Sequence, residues 1–490
     1  MNKALFFSFA QASIKRFPVR TLRLLSGACV AAGLLSACSL IPTYERPAAP
    51  VPAQYPGATS SVGQGTALAA SDMPWQDVFK DERLKRLIAL ALENNRDLRM
   101  AMLNMEQTRA QWQLRRADEL PTINAGVTGA RSTTTTGISS TYSAGLSVAP
   151  LTAFELDVFG RVRALSQAGQ AQWLASQEAR RSVQIALVSS VANTYLSLIT
   201  DDALLRLVEA TLATREMSLH LTQLKFEHDS ASRLDLNQAQ SLLEAAKVAQ
   251  AQLQRQRAQD ENALMLLVGQ ALPADLPAGL PLTASSFVAE VPSGLPSDLL
   301  IRRPDVRQAE QLLIAQHANI GAARAAFFPR ITLTGSAGIV GNDLGQLFNV
   351  GSRGWTFTPQ VLLPIFDGGR NQANLDVAKV GRDMAVAQYE KVIQTAFREV
   401  ADALSARTTF DEQLRAQKAI LAAEESRMAL MALRDRQGLA NAFDVLDARR
   451  SLFAAQQAAL QTQAQQLQSV VTLYKVLGGG WTEPALVGLK

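Results

Sequence analysis

Two very long stretches of this 490-residue chain contain no proline: Leu151 to Leu272 and Ile365 to Glu483. Proline is the residue a helix interior tolerates least, at a cost of about 3 kcal/mol. Glycine is scarce in the same stretches, and Ala, Leu, Gln, Arg and Glu, which lose little freedom in a helix, dominate them. This predicts one helix from Arg161 to about His228 and another from Arg370 to about Arg436. At 1.5 Å per residue each would be about 100 Å long. No compact globule needs such helices; a span across a periplasm does. Ordinary coiled coil is the plain alternative, but many apolar positions are alanine, which predicts closely packed helices carrying a polar second face.

The chain also repeats itself. NNRDLRMA from Asn94 matches RRPDVRQA from Arg302, pairing Asp97 with Asp305 and Ala101 with Ala309. Further on, Pro121 pairs with Pro329, Gly160 with Gly369, Arg161 with Arg370, Asp235 with Asp444 and Gly269 with Gly478. The offset stays at 208 or 209 throughout, which points to an internal duplication. The expected organisation is a signal peptide over 1–37, a lipid-anchored extended segment over 38–75, a first repeat over 76–280 and a second over 281–490.

Between the predicted helices the hydrophobic period changes from about 3.6 to 2. TINAGVTGA from Thr122, YSAGLSV from Tyr142, ITLTGSAGI from Ile331 and GWTFTPQVL from Gly354 all alternate apolar with small or polar residues. They predict one β-hairpin per repeat, at about 122–157 and 330–364. The connections RSTTTTGISST and VGNDLGQLFNVGSR are rich in Gly, Ser and Thr and read as exposed loops. In hydrocarbon every backbone polar group needs a partner, so a spanning sheet must close into a barrel. Four strands are too few, the smallest barrels having about eight. Three copies would supply twelve.

Lys3, Lys15, Arg16, Arg20 and Arg23 precede residue 38, and no acidic residue does. With the apolar segment Leu24 to Ala37 they form a secretory signal, too short to span a bilayer. The formal charge of +5 falls to about zero once those five are removed, so the pI of 9.3 is no argument for nucleic acid. Leu35, Ser36, Ala37 and Cys38 read as a lipobox, with Cys38 receiving N-acyl and diacylglycerol lipid. Cys29 would leave with the signal peptide, so no disulfide framework is expected.

Several longer segments carry a resemblance: LPSDLLIRRPDVRQAE from Leu295, ANIGAARAAFFPRITLTGSAG from Ala318, LPIFDGGR from Leu363, AQYEKVIQTAFREVADALSAR from Ala387, DARRSLFAAQQ from Asp447 and LYKVLGGGW from Leu473. In these the chain resembles the TolC-like outer-membrane efflux channels, most closely the OprM-type lipoproteins. The resemblance covers nearly all of the mature chain. It implies a mixed, mainly α fold: a periplasmic α-barrel of long helices joined to a transmembrane β-barrel. Four strands per chain would make a twelve-stranded barrel in a homotrimer. It also implies an outer-membrane location in a Gram-negative bacterium, and contact with outer-membrane lipid. The expected function is the exit duct of a tripartite efflux pump, whose partners are a periplasmic adaptor and an inner-membrane pump of the resistance-nodulation-division type. No reaction, cofactor or nucleic-acid partner is implied.

The resemblance further implies that the turns between descending and returning helices form the periplasmic tip. They fall near Asp229 to Arg233 and Gln437 to Asn441, making Asp229, Ser230, Gly438 and Leu439 the candidate adaptor contacts. The helix after the second turn would line the entrance, with Phe443 as an apolar seal and Asp444 and Asp447 as acidic rings. Three copies of each carboxylate would crowd like charges together and favour opening. Arg450 and Asp235 are the candidates for a latch between helices. Gln238 stands opposite Asp447 in the first repeat, so only the second repeat would build the double ring. Asp435 occupies a place where relatives often carry an aromatic residue for the latch, Ala440 one where TolC itself has a basic residue, and the first turn EHDSAS lacks the usual glycine.

His220, His228 and His317 show no zinc-ligand spacing, and no GxSxG elbow is present. In RRPD, Pro304 at a first helical turn predicts a structural role for the motif. The rival function is a periplasm-spanning scaffold or adaptor lipoprotein without a pore, which would not require four alternating segments.

Overall fold

The computed structural model describes residues 39–52, 55, 73–134, 137–148, 153–282, 302–342, 345 and 353–480. The lipobox residue Cys38 and the signal segment lie outside the described residues. The chain divides into two compact units, Met1–Tyr44 with Gln113–Ala168 and Gln316–Gly381, and Glu45–Trp112 with Gly169–Ala315 and Arg382–Lys490.

Both repeats share one order of elements: a helix, a pair of long strands, a 67-residue helix and a returning helix. The first holds α1 (Trp75–Val78), α2 (Glu82–Asn94), α3 (Arg96–Ala117), strands β1 (Ile123–Thr134), β2 (Gly137–Val148) and β3 (Phe154–Glu155), then α4 (Arg161–Glu227) and α5 (Arg233–Val268). The second holds α6 (Pro304–Ala325), β4 (Arg330–Gly341), β5 (Arg353–Leu362), α7 (Arg370–Arg436) and α8 (Ala442–Val476). Helices α4 and α7 each contain 67 residues, and their starts, 161 and 370, are 209 apart.

In the second unit a core gathers Phe79, Leu84, Leu87, Ile88, Tyr195, Tyr389 and Tyr474, all 2% exposed or less. Asp81 is fully buried and is satisfied four times over. Its carboxylate accepts from the backbone N–H groups of Arg83 at 2.7 Å, Leu84 at 3.2 Å and Leu280 at 3.0 Å, and from the Tyr195 hydroxyl at 3.1 Å. The first two bonds cap α2, which explains a carboxylate in a core. Pro304 opens α6, as a proline at the first helical position should.

The first unit contains the sheet. β1 pairs with β2, β2 with β4 and β4 with β5, all antiparallel. The two-residue β3 joins the same edge of β4 as β2, opposite Thr332 and Leu333, and so continues the line of β2. One expectation fails here. RSTTTTGISST does not form a loop: the ladder runs through Thr134↔Gly137, leaving only residues 135 and 136 outside it. Threonine and isoleucine suit a pleated strand, so a Ser- and Thr-rich stretch need not be a turn.

Register sorts the side chains. Ile123, Ala125, Val127, Ala144, Leu146, Ile331, Leu333, Ala337, Ile339, Trp355, Phe357 and Val361 share one face. Asn124, Thr128, Ser143, Ser147, Thr332, Thr334, Ser336, Thr356, Thr358 and Gln360 share the other. Hydroxyl pairs tie the polar face, Thr128 with Ser143 at 2.6 Å and Ser336 with Thr356 at 2.8 Å. The apolar face is bare: Val127 is 76% exposed, Trp355 77% and Val361 64%. Among the described residues β1 and β5 each have one unpaired edge.

At the foot of the sheet Glu155 holds Arg161 through two bonds of 2.8 and 2.7 Å and Arg330 at 2.6 Å. That carboxylate ties the start of α4 to the polar face of β4. The segment after residue 38 lies along α6. Leu40 accepts from Arg324 at 3.2 Å, Ile41 packs so closely on Gly321 that a Cβ there would strike it, and Tyr44 meets His317 edge-on at 5.6 Å.

Candidate functional site: the interhelical turns and the start of α8

Both long helices end in a left-handed residue followed by a capped helix start. After α7, Gly438 has φ +70° and the N–H of Leu439 returns to the carbonyl of Arg434 at 2.9 Å. After α4, Asp229 takes the same role at φ +53°, and the N–H of Ser230 returns to Lys225 at 2.7 Å. Asp229 thus stands where glycine is usual, one of the few side chains that tolerate this backbone. All four candidate tip residues lie in these turns, and all four are exposed.

The helices that follow differ in their caps. Ser232 and Asp235 form a capping box at the start of α5. The Asp235 N–H donates to the Ser232 hydroxyl at 3.1 Å, while the Asp235 carboxylate accepts from the Ser232 N–H at 2.9 Å and its hydroxyl at 2.7 Å. Those bonds from Ser232, side chain first and backbone second, hold the Asp235 carboxyl below its ordinary range. Asp235 is therefore occupied at its own helix start, and among the described residues no bond takes it to a neighbouring helix. In α8 the cap is Asn441, which accepts from the N–H of Phe443 at 3.2 Å. Asp444 holds the equivalent third position, but among the described residues its carboxylate has no partner. Phe443 beside it is 54% exposed.

One turn on, Asp447 has two partners. Its Oδ2 accepts from Arg427 of α7 at 2.6 Å and its Oδ1 from Arg450 at 2.6 Å. Arg427 also reaches Glu424 at 3.2 Å. The bond it donates to Asp447, ahead of other causes, raises the Arg427 pKa above its ordinary value. Two guanidinium groups and two carboxylates make this quartet neutral. The bond that ties the antiparallel helices α7 and α8 comes from Arg427, which sequence reasoning overlooked. Twenty positions separate Arg427 from Asp447, so only an antiparallel pair of helices brings them together. Arg450 is an i+3 partner on the same helix, and among the described residues no bond takes it to a neighbouring helix.

Across from this quartet lies α5. Gln238, Ser241 and Leu242 face Phe443, Leu446, Asp447 and Arg450 around a cavity of about 200 Å³. Gln238 and Asp447, equivalent positions of the two repeats, thus line one cleft. Nearby, Arg215 of α4 donates to the Leu242 carbonyl at 2.6 Å, with its guanidinium 5.1 Å from the centre of the Phe453 ring.

Comparison with known proteins agrees with this architecture. The model of the outer membrane efflux protein family matches twice, over residues 87–270 and 295–479, one match per repeat. The chain is 49% identical over 463 residues to the toluene efflux pump outer membrane protein TtgC of Pseudomonas putida, covering 93% of this chain and 95% of that one. It is 43% identical over 459 residues to the outer membrane protein OprJ of Pseudomonas aeruginosa, covering 92% and 94%. Among solved structures, the open state of the Neisseria gonorrhoeae MtrE outer membrane channel superposes with a TM-score of 0.84 at 39% identity, covering 91% and 99%. With both repeats matched and more than nine-tenths of the chain shared with its relatives, the chain belongs to the outer membrane efflux protein family, components of efflux pumps in the outer membranes of Gram-negative bacteria.

Proposed function

We propose that three copies of this chain enclose one water-filled channel, the exit duct of a tripartite efflux pump. One observation carries the reading: a sheet with an apolar exposed face, a hydroxyl-lined opposite face and two unpaired edges. Open edges are forbidden in hydrocarbon, and edge-to-edge pairing of β5 with β1 of the next copy satisfies both at once. Three copies give the twelve strands of a closed barrel, apolar outside and polar inside. Trimer formation also covers exposed apolar side chains on the helices, such as Val377, Met384 and Leu430.

The start of α8 then forms the constriction, with Phe443 as the apolar seal and Asp444 as the acidic ring. The Arg427–Asp447–Arg450 cluster holds α7 and α8 together in the closed form. The turns at Asp229 and Ser230 and at Gly438 and Leu439 are the surface offered to a periplasmic adaptor, which delivers cargo from an inner-membrane pump. The toluene pump named for one relative suggests small apolar molecules among the cargo. Lipid on Cys38 anchors the chain beside the barrel, and the duct itself needs no cofactor.

Planar-bilayer recording of the purified protein tests this reading. Discrete conductance steps and a detergent-stable trimer are expected. A well-behaved monomer giving no conductance would overturn the proposal.

A further inference from the structure

Among the described residues two side chains on the apolar face of the sheet are charged, Arg131 of β1 and Arg353 of β5. Register places Arg131 in line with Ile123, Ala125, Val127 and Gly129, and Arg353 in line with Val361, Pro359, Phe357 and Trp355. Both arginines are exposed, and neither pairs with a carboxylate among the described residues. Each stands at the end of its strand farther from the helices.

The spacing is telling. In each strand the arginine lies eight positions from the first apolar residue of the line, Ile123 or Val361. That is about 26 Å along the strand, or about 20 Å along the membrane normal at a tilt of about 40°. An apolar band is about 25 Å tall, and a guanidinium on its flexible stem reaches the remaining few ångströms. A cation on the lipid face costs about 2–4 kcal/mol at mid-bilayer and about 0–1 at the interface. Both arginines therefore belong at the outer boundary. At the opposite boundary the chain following β5 offers Leu363, Ile365 and Phe366, all exposed and all apolar.

We propose that Arg131 and Arg353 form a rim that binds the phosphate groups of an anionic glycolipid in the outer leaflet. The proposal rests on the reading of the sheet as lipid-embedded and adds a ligand to its outer surface. A guanidinium fork fits phosphate in a bidentate pair. Among the described residues the apolar face carries cations at one boundary alone, which fits a bilayer with phosphorylated glycolipid in one leaflet; zwitterionic phospholipid would reward both boundaries alike. The two arginines also lie on the two open edge strands. Where β5 of one copy meets β1 of the next, one Arg353 and one Arg131 share a seam, giving paired cations for a bisphosphorylated headgroup.

The test uses the full chain in phosphatidylcholine vesicles, supplemented with bisphosphorylated lipid A or with its dephosphorylated form. Bisphosphorylated lipid A should raise the temperature at which the oligomer dissociates, and the dephosphorylated form should not. In the Arg131→Gln/Arg353→Gln double variant the lipid A concentration needed for half the rise should increase tenfold or more. A double variant that responds like the parent overturns the proposal. So does an equal rise with phosphatidylglycerol at matched charge, which would reveal a diffuse electrostatic effect. Quenching of Trp355 by acyl-brominated lipid, identified by its loss in Trp355→Phe, separates the two readings. If Trp355 is not quenched, the lipid-embedded sheet itself is refuted; if it is quenched while lipid A has no specific effect, only the rim is refuted.

Discussion

Arg303 donates from its guanidinium to the carbonyl of Val476, the last residue of α8, at 2.8 Å. The same guanidinium binds Asp305 through bonds of 3.0 and 2.7 Å and Glu399 at 2.8 Å. The first repeat performs this task with a neutral residue: the Asn95 side-chain amide donates to the carbonyl of Leu267 at 2.9 Å. Positions 95 and 303, and 267 and 476, are repeat equivalents. In each half the start of the short helix is tied to an otherwise unsatisfied carbonyl at the end of the returning helix.

This tie predicts unequal costs. Arg303 is 9% exposed, so Arg303→Ala leaves a helix-end carbonyl unsatisfied and removes the charge-assisted bonds to the half-exposed Asp305 and Glu399, which should destabilise the protein by about 2–4 kcal/mol. Asn95→Ala removes neutral hydrogen bonds and should cost about 1–3 kcal/mol. Denaturant unfolding in detergent measures both.

The two aspartates at the start of α8 should behave differently. Asp447 sits in a neutral quartet, so Asp444→Asn should remove most of the cation preference of the channel, read as a reversal potential across a salt gradient. Asp447→Asn should instead loosen α7 from α8 and raise the conductance, and Arg427→Gln should mimic it. Equal selectivity losses in the Asp444 and Asp447 variants would contradict the charge balance drawn from the ion pairs.

The turns make a stability prediction. Gly438 at φ +70° is unstrained, and Gly438→Ala should cost about 1–2 kcal/mol. Asp229 at φ +53° already bears part of that cost, so Asp229→Gly should change stability little, while β-branched Asp229→Val should destabilise it. Thermal unfolding ranks the three.

The sheet tolerates nothing larger than glycine at one crossing. Gly145 and Gly338 face each other across β2 and β4, and a Cβ on either would strike the opposing strand's backbone, the Ala337 or the Ala144 carbonyl. Gly145→Ala or Gly338→Ala should force the strands apart and reduce the yield of detergent-stable oligomer, as seen on unheated gels.

Asp201 supplies a pH dependence. Burial first, then the Asp260 and Asp202 charges, push its carboxyl up to about 6. Asp202 is itself paired with Arg257 at 2.7 Å. Because the folded form holds its proton to higher pH than the unfolded form, stability should fall as pH rises from about 4 to about 6 and then level off. Asp201→Asn should flatten that slope and stabilise the protein at pH 7, as melting across that range would show. The second repeat carries Phe410 at the equivalent position and joins α7 to α8 nearby with a Gln466–Asp411 bond of 2.8 Å.

Periodicity and composition alone determined much of this protein. Proline-free runs located α4 and α7 to within about a residue at each end, because helix formation is a local equilibrium summed over many positions. Alternation located the strands, and the constant offset exposed the repeat. What the sequence misjudged was local too: Ser- and Thr-rich residues 131–141 read as a loop, yet the β1–β2 ladder runs on to Thr134↔Gly137, because threonine suits a pleated strand. Tertiary structure alone decided which partners meet. Arg427 and Asp447, Arg303 and Val476, and Gly145 and Gly338 are distant in sequence, and no periodicity encodes such pairs. They follow from the antiparallel return of a helix, the docking of a helix end and the register of two strands from different repeats, each set by packing over tens of residues.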